Sequence, residues 1–127
     1  MAVERGAIYW VEFSPVKGSE QSGLRPAPVV QNDVGNRSSP TTIVVAITTR
    51  MPSRPYPFVV ALNPDESGLT QTSAVNCSQI ATIQQAGAAS RLRPPRGEDE
   101  VRPIGRLGLG KMAEVDRAVM FSVGVGP

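Results

Sequence analysis

Proline and glycine punctuate this chain so closely that few segments are free to become long helices. Twelve of each fall among 127 residues. Between them lie short runs such as Ile8-Tyr9-Trp10-Val11-Glu12-Phe13 and Thr42-Ile43-Val44-Val45-Ala46-Ile47-Thr48. These runs are rich in β-branched and aromatic side chains, so they read as strands and the punctuation as turns. The second run is nearly continuous in apolar β-formers, the pattern of a central strand buried on both faces. Residues 27–31 form a further strand entered through prolines, which places its start at an edge or a bend. Residues 58–62 and 74–83 bring the strands to five, and 104–107 is a short last one. Residues 32–40 and 63–68 are dense in turn formers and read as connections. Residues 50–57 carry three prolines and read as an irregular loop.

From Leu109 onward the pattern changes. Met112, Val115, Val119 and Phe121 recur near helical spacing, with Lys111, Glu114, Asp116 and Arg117 between them. This is one amphipathic helix packed on the sheet, bracketed by Gly108, Gly110 and the glycine-rich tail. The expected fold is mainly β, of the α+β kind: a small, partly open antiparallel barrel with a C-terminal helix. The length suits a single domain over 1–127, large enough for a real core.

Composition narrows the chemistry. No histidine is present, which removes the commonest metal ligand and the usual general base, and with it any Ser-His or Cys-His arrangement. The one cysteine, Cys77, lies in a strand-like stretch and reads as a small hydrophobe. No run approaches the ~20 apolar residues of a membrane span, and the start lacks a signal-peptide pattern, so a soluble, cytoplasmic protein is expected. The formal charge of +2 permits a polyanionic partner without requiring one. The stretch 84–103 mixes Arg91, Arg93 and Arg96 with Glu98, Asp99 and Glu100, which reads as a solvated excursion with little net field.

The loop from Ser14 to Pro26 is the candidate site. Its Pro and Gly serve neither a strand nor a helix interior, so Lys17, Ser19, Glu20, Gln21 and Arg25 are free to touch a ligand. Thr48, Thr49 and Arg50 end the central run. Together these residues supply cationic forks, hydroxyls and one carboxylate, a set that suits a phosphodiester. An arginine grips two phosphate oxygens and stays charged at any relevant pH. RNA carries its own nucleophile in the 2′-hydroxyl, so alignment, proton transfer and charge stabilisation suffice. On residues alone two readings of Arg25 stand, a phosphate clamp and a surface ion pair with Glu20. Thr48 likewise reads as a site hydroxyl or as plain β-propensity.

The stretch Arg5-Gly6-Ala7-Ile8-Tyr9-Trp10-Val11-Glu12-Phe13, the block Gly18-Ser19-Glu20-Gln21 with Gly23 and Arg25-Pro26, Val29-Val30-Gln31-Asn32-Asp33, and Asn36-Arg37 closely resemble the MazF/PemK-type toxin endoribonucleases. Ala46-Ile47-Thr48, Tyr56-Pro57-Phe58, Ser78-Gln79-Ile80 and Val115-Asp116-Arg117-Ala118 are similar to that family as well. The resemblance implies a homodimeric, SH3-like barrel that cuts single-stranded RNA at short sequences. It also implies that no metal or other cofactor is needed, that the ends are 2′,3′-cyclic phosphate and 5′-hydroxyl, and that a cognate antitoxin covers the RNA groove. By position it makes Arg25 and Thr48 the catalytic pair, with Glu20 as helper. Lys17, Ser19, Gln21, Thr49, Arg50 and Gln79 are the candidates for RNA contact, while Tyr56 and Phe58 read as core. The other class weighed is a CcdB-like, non-catalytic inhibitor of DNA gyrase, which has no need of an arginine beside a hydroxyl. Departures from the family pattern are the long, charged segment 85–102, Ala7 where an acidic residue is common, and two glycines at the start of the last helix.

Overall fold

The computed structural model describes residues 2–13, 23–50 and 54–126. In chain order the elements are β1 (Ala7–Phe13), β2 (Gly23–Pro28), α1 (Asp33–Ser38), β3 (Thr41–Thr48), β4 (Val59–Leu62), α2 (Pro64–Ser67), β5 (Ser73–Gln84), β6 (Leu92–Arg93), β7 (Gly105–Arg106) and α3 (Leu109–Ser122). They form two sheets. In the first, β1 pairs with β2 along one edge and with β6 and β7 along the other; in the second, the order is β3-β5-β4. Every pairing is antiparallel. Among the described residues the sheets meet at an isolated bridge, Val29 to Val44, and at bonds from the Val30 and Gln31 N–H groups to the Ile43 carbonyl, and no closed barrel forms.

Two strands show why this arrangement holds. Successive side chains of a strand point to opposite faces, so one strand can feed two apolar layers. Ala7, Tyr9, Val11 and Phe13 of β1 enter one cluster with Ala27, Val29, Val44 and Ala46. Ile8, on the other face, joins a second cluster with Val45, Ile47, Leu62 and Val75. β3 divides in the same way, Val44 and Ala46 to the first cluster and Val45 and Ile47 to the second. It is buried on both faces as expected, although β5 rather than β3 is the middle strand of its sheet. Helix α3 closes the second cluster with Met112, Val115 and Ala118, while Phe121 is exposed and serves no core.

β5 is bent where the register to β3 jumps. Val45 faces Ile80 but Ala46 faces Asn76, which leaves Cys77, Ser78 and Gln79 in a bulge. A bulge of this kind kinks its strand and raises the local twist. Cys77 is fully buried there, and burial pushes its thiol pKa up to about 12, with Asp116 adding to the rise. The thiol is neutral at physiological pH, and we expect it to resist alkylation in the native protein and to react at once in denaturant, as mass spectrometry after iodoacetamide would show.

Several local expectations are revised by the structure. Residues 32–40 are a helix as well as a connection. The Asn32 side chain accepts from the Gly35 N–H at 2.7 Å as a helix N-cap, and Arg5 N–H donates to Asp33 at 2.9 Å. That bond, with a second from Asn36, holds the Asp33 carboxyl below the usual carboxylate range. Inside the turn, Asn36 is buried and fully used: it accepts from Thr42 at 2.7 Å and from Gln31 at 3.0 Å, and donates to the Gln31 carbonyl at 3.0 Å. Residues 63–68 likewise contain α2, with Pro at its first turn and a reciprocal Asn63 and Glu66 cap. β2 begins earlier than expected, and its two prolines are tolerated because it is an edge strand. The excursion folds back at Leu92–Arg93 to pair with Trp10 and Val11, and it is continuously exposed from Ala86 to Ala89 and from Arg96 to Pro103. Tyr56 and Phe58 are not core. Their rings stack 5.0 Å apart near the surface, with the Arg54 guanidinium 5.8 Å from the Tyr56 ring.

Candidate functional site

The second apolar cluster takes Ile8 from its face of β1 but neither Trp10 nor Glu12. Beyond Ile8 that face is left by the described residues of the cluster, and a cleft of about 320 Å³ opens there. Trp10 contributes from β1, Leu24, Arg25 and Pro26 from β2, Ile47 and Thr49 from the end of β3, and Leu69, Thr70, Gln71 and Ser73 from the segment entering β5. Four separated stretches of chain therefore converge on one concavity. Its size falls at the lower end of the ~300 to 1,000 Å³ range of ligand pockets.

Arg25 stands directly across β1 from Val11 and is half-buried. Among the described residues that line the cleft, it alone carries a charge. No carboxylate among the described residues pairs with it. Arg25 lines this cleft, and a guanidinium is a ready receptor for two oxygens of an anion.

Thr48 is half-buried at the last position of β3, opposite Ala74 of β5 and between the cleft residues Ile47 and Thr49. Its Oγ1 accepts from the Arg50 N–H at 3.1 Å. That bond closes a local turn and occupies one lone pair, leaving the hydroxyl proton free to donate elsewhere. Arg50 itself is exposed just past the strand. Gln79 lies in the β5 bulge and is half-buried. The structure thus brings Arg25 and Thr49 into one cleft, sets Thr48 in its wall-forming strand end, and puts Arg50 and Gln79 outside the lining. Lys17, Ser19, Glu20 and Gln21 lie outside the described residues, as does the Arg25 and Glu20 ion pair.

The sequence marks none of five lining residues, Trp10, Leu69, Thr70, Gln71 and Ser73, as site residues. In the sequence Trp10 reads as a strand former within the family-like stretch, and the run Thr70-Gln71-Thr72-Ser73 lies between a turn and a strand with no motif of its own. The cue was present, since Trp10 occupies the face of β1 opposite the first cluster, but only the extent of the second cluster shows that its described residues leave this face there.

Residues that the sequence pattern marked for other reasons prove architectural. Arg5 pairs with Asp116 of α3 and also donates to the Val30 carbonyl, tying the chain's two ends to the middle. Gln85 is buried and spreads its amide over the Asn36, Ser39 and Thr41 carbonyls at 2.9, 3.0 and 3.2 Å. Among the described residues no three His, Cys, Asp or Glu side chains cluster to hold a metal ion, and no helix is long and apolar enough to cross a membrane.

Comparison with known proteins places this geometry. Residues 4–123 match the family model described as PemK-like, MazF-like toxin of type II toxin-antitoxin system. Endoribonuclease EndoA of Bacillus subtilis (strain 168) is 45% identical over 85 residues, which span 67% of this chain and 73% of that protein. Among solved structures, an endoribonuclease in complex with its cognate antitoxin from a Mycobacterial species superposes with a TM-score of 0.75 at 23% identity, covering 99% of each chain. MazF of Deinococcus radiodurans gives 0.73 at 22% identity over 98% of this chain and 99% of its own. The structural matches establish a shared fold, and the length of the family match with the identity to EndoA establishes descent: the chain belongs to the PemK-like, MazF-like toxins of type II toxin-antitoxin systems.

Proposed function

We propose that this protein is the endoribonuclease toxin of a toxin-antitoxin pair and that its cleft receives the scissile phosphate of single-stranded RNA. The observation that carries the reading is Arg25, a half-buried cation in the cleft with no carboxylate partner among the described residues, in a chain 45% identical to an endoribonuclease over 85 residues. The ribose 2′-hydroxyl attacks the adjacent phosphorus. A bond from O2′ to phosphorus forms and the bond from phosphorus to O5′ breaks, leaving a 2′,3′-cyclic phosphate and a 5′-hydroxyl. One proton leaves O2′ and one reaches O5′, so the step balances without a co-reactant, and the reading takes it to run without a metal. Arg25 neutralises the charge that gathers on the pentacoordinate phosphorus, where a preorganised donor has its largest effect. The Thr48 hydroxyl, anchored through the Arg50 N–H, orients a phosphate oxygen. Glu20, the carboxylate of the preceding loop, accepts the O2′ proton, and Lys17, Ser19, Gln21, Thr49, Arg50 and Gln79 contact the flanking nucleotides.

Residues 1–127 act as one domain in this reading, in the cytoplasm where its RNA lies. A second copy covers the apolar end of α3, where Met120, Phe121, Val123 and Val125 are exposed, and a cognate antitoxin blocks the RNA path. The test is incubation of the purified protein with a long mixed-sequence RNA in EDTA, with sequencing of fragment ends. Cuts at one short motif bearing cyclic phosphate are expected; no cuts by a folded protein, with inhibition of gyrase supercoiling, would overturn the reading in favour of a gyrase poison. Thr48→Val keeps the shape and removes the hydroxyl, and we expect it to slow cleavage on the order of 10- to 100-fold. A single-turnover rate equal to that of the wild type would reduce Thr48 to a strand residue.

A further inference from the structure

The cleft holds more than a phosphate needs. Among the described lining residues Arg25 alone is charged, and the wall supplied by β1 and by the segment entering β5 is made of the neutral Trp10, Leu69, Thr70, Gln71 and Ser73. A half-buried indole offers a flat apolar face, and a half-buried leucine adds aliphatic surface. Beside them stand an amide that both donates and accepts and two hydroxyls. Flat faces with a mixed donor and acceptor edge are what an unpaired nucleobase presents to a protein. None of these described wall residues is the cation that a second phosphate calls for.

Ser73 supplies an independent observation. This residue is fully buried and lines the cleft, yet its Oγ has no hydrogen-bond partner among the described residues. Buried hydroxyls are nearly always paired, and one left unpaired is costly. The adjoining layer is apolar, since Ala74 and Val75 follow it into the core. A polar edge pressed into the cleft wall, once the wall yields slightly, is the partner this hydroxyl lacks.

Resting on the endoribonuclease reading above, we propose that Trp10, Leu69, Thr70, Gln71 and Ser73 form a pocket for one unpaired RNA base next to the phosphate held by Arg25. The base lies against Trp10 and Leu69, and the Gln71 amide, with Thr70 and the Ser73 hydroxyl, reads its edge. These residues set which sequence is cut, whereas Arg25 sets how fast. A site built to bond a base edge rejects a base that leaves its polar groups unpaired, so discrimination of tenfold or more is within reach of such a wall.

Trp10 is the chain's one tryptophan, so its fluorescence reports the pocket without requiring cleavage. Short oligoribonucleotides blocked by 2′-O-methyl groups and differing at a single base should change Trp10 emission with a base-dependent affinity. Gln71→Leu and Ser73→Ala, checked for native circular dichroism, should reduce that base dependence about tenfold and shift the cleavage motif at one position in a random-sequence RNA library. Emission unmoved by every oligonucleotide would overturn the pocket even if the wild type cuts RNA. An unaltered motif in both folded variants would overturn it as well. Base-dependent emission from a protein that cuts no RNA would instead keep the pocket and remove the nuclease reading.

Discussion

Arg25→Ala is expected to lower single-turnover RNA cleavage by ~100-fold or more while leaving the protein folded. The size of the effect follows from where the charge sits. An exposed arginine is screened by solvent and contributes little, but Arg25 is half-buried in a cleft whose other described lining residues are neutral. Charge developing on the phosphorane there meets a cation already in place, with little solvent to reorganise. The fold should tolerate the change, because Arg25 lies near the start of an edge strand and belongs to neither apolar cluster. Arg25→Lys separates charge from shape: the ammonium keeps the charge and loses the planar fork, so its rate should fall between the two. Cleavage by Arg25→Ala within a few-fold of wild type, on RNA of the preferred sequence, would remove Arg25 from the reaction.

Gly105→Ala should do the opposite, destabilising the fold without altering Arg25. A Cβ built on Gly105 would lie 2.0 Å from the Ser67 carbonyl oxygen and 3.2 Å from its carbon, far inside any real contact. Both partners are backbone, so no side chain can swing aside. Ser67 ends α2, and the turn after it is fixed by Gly68, whose φ of 79° is left-handed and whose N–H donates to the Pro64 carbonyl. Gly105 is pinned on its other side, where β7 pairs with Ile8 and the Ile104 N–H donates to the Ile8 carbonyl at 2.7 Å. Relief therefore means moving β7 and disturbing the second cluster through Ile8 and Leu107. Overpacking of this kind costs about 3 kcal/mol, which for a chain of this size lowers the melting temperature by roughly 10 °C. A melting temperature within a couple of degrees of wild type would show that β7 is looser than the structure has it.

How much of this was legible beforehand can be traced residue by residue. The strand character of β1 and β3, the terminal helix and the open, all-antiparallel architecture follow from local rules: β-branched runs, a change of period at Leu109, and proline at edges. Helix α1 was missed because Asn, Asp, Gly and Ser are turn formers first. It exists because Asn32 caps it and because Thr42 and Gln31, brought in from β3 and the end of β2, satisfy Asn36. β6 was missed because two residues carry no periodic signal; it forms where β1 offers a free edge.

For the site the division is sharper. The residue types at Arg25 and Thr48 pointed to a phosphodiester because charge, fork geometry and a hydroxyl are properties of single side chains, present wherever the chain places them. The cleft is a property of no segment. Trp10 and Gln71 are 61 positions apart, and nothing local to either marks them as neighbours. They meet because the bulge at Cys77–Gln79 sets the line of β5 and because the second cluster ends at Ile8. Sequence alone determined the chemistry this protein carries and the kind of sheet that bears it. Only the tertiary structure decided which side chains share a concavity, since that depends on where two apolar layers stop covering a strand.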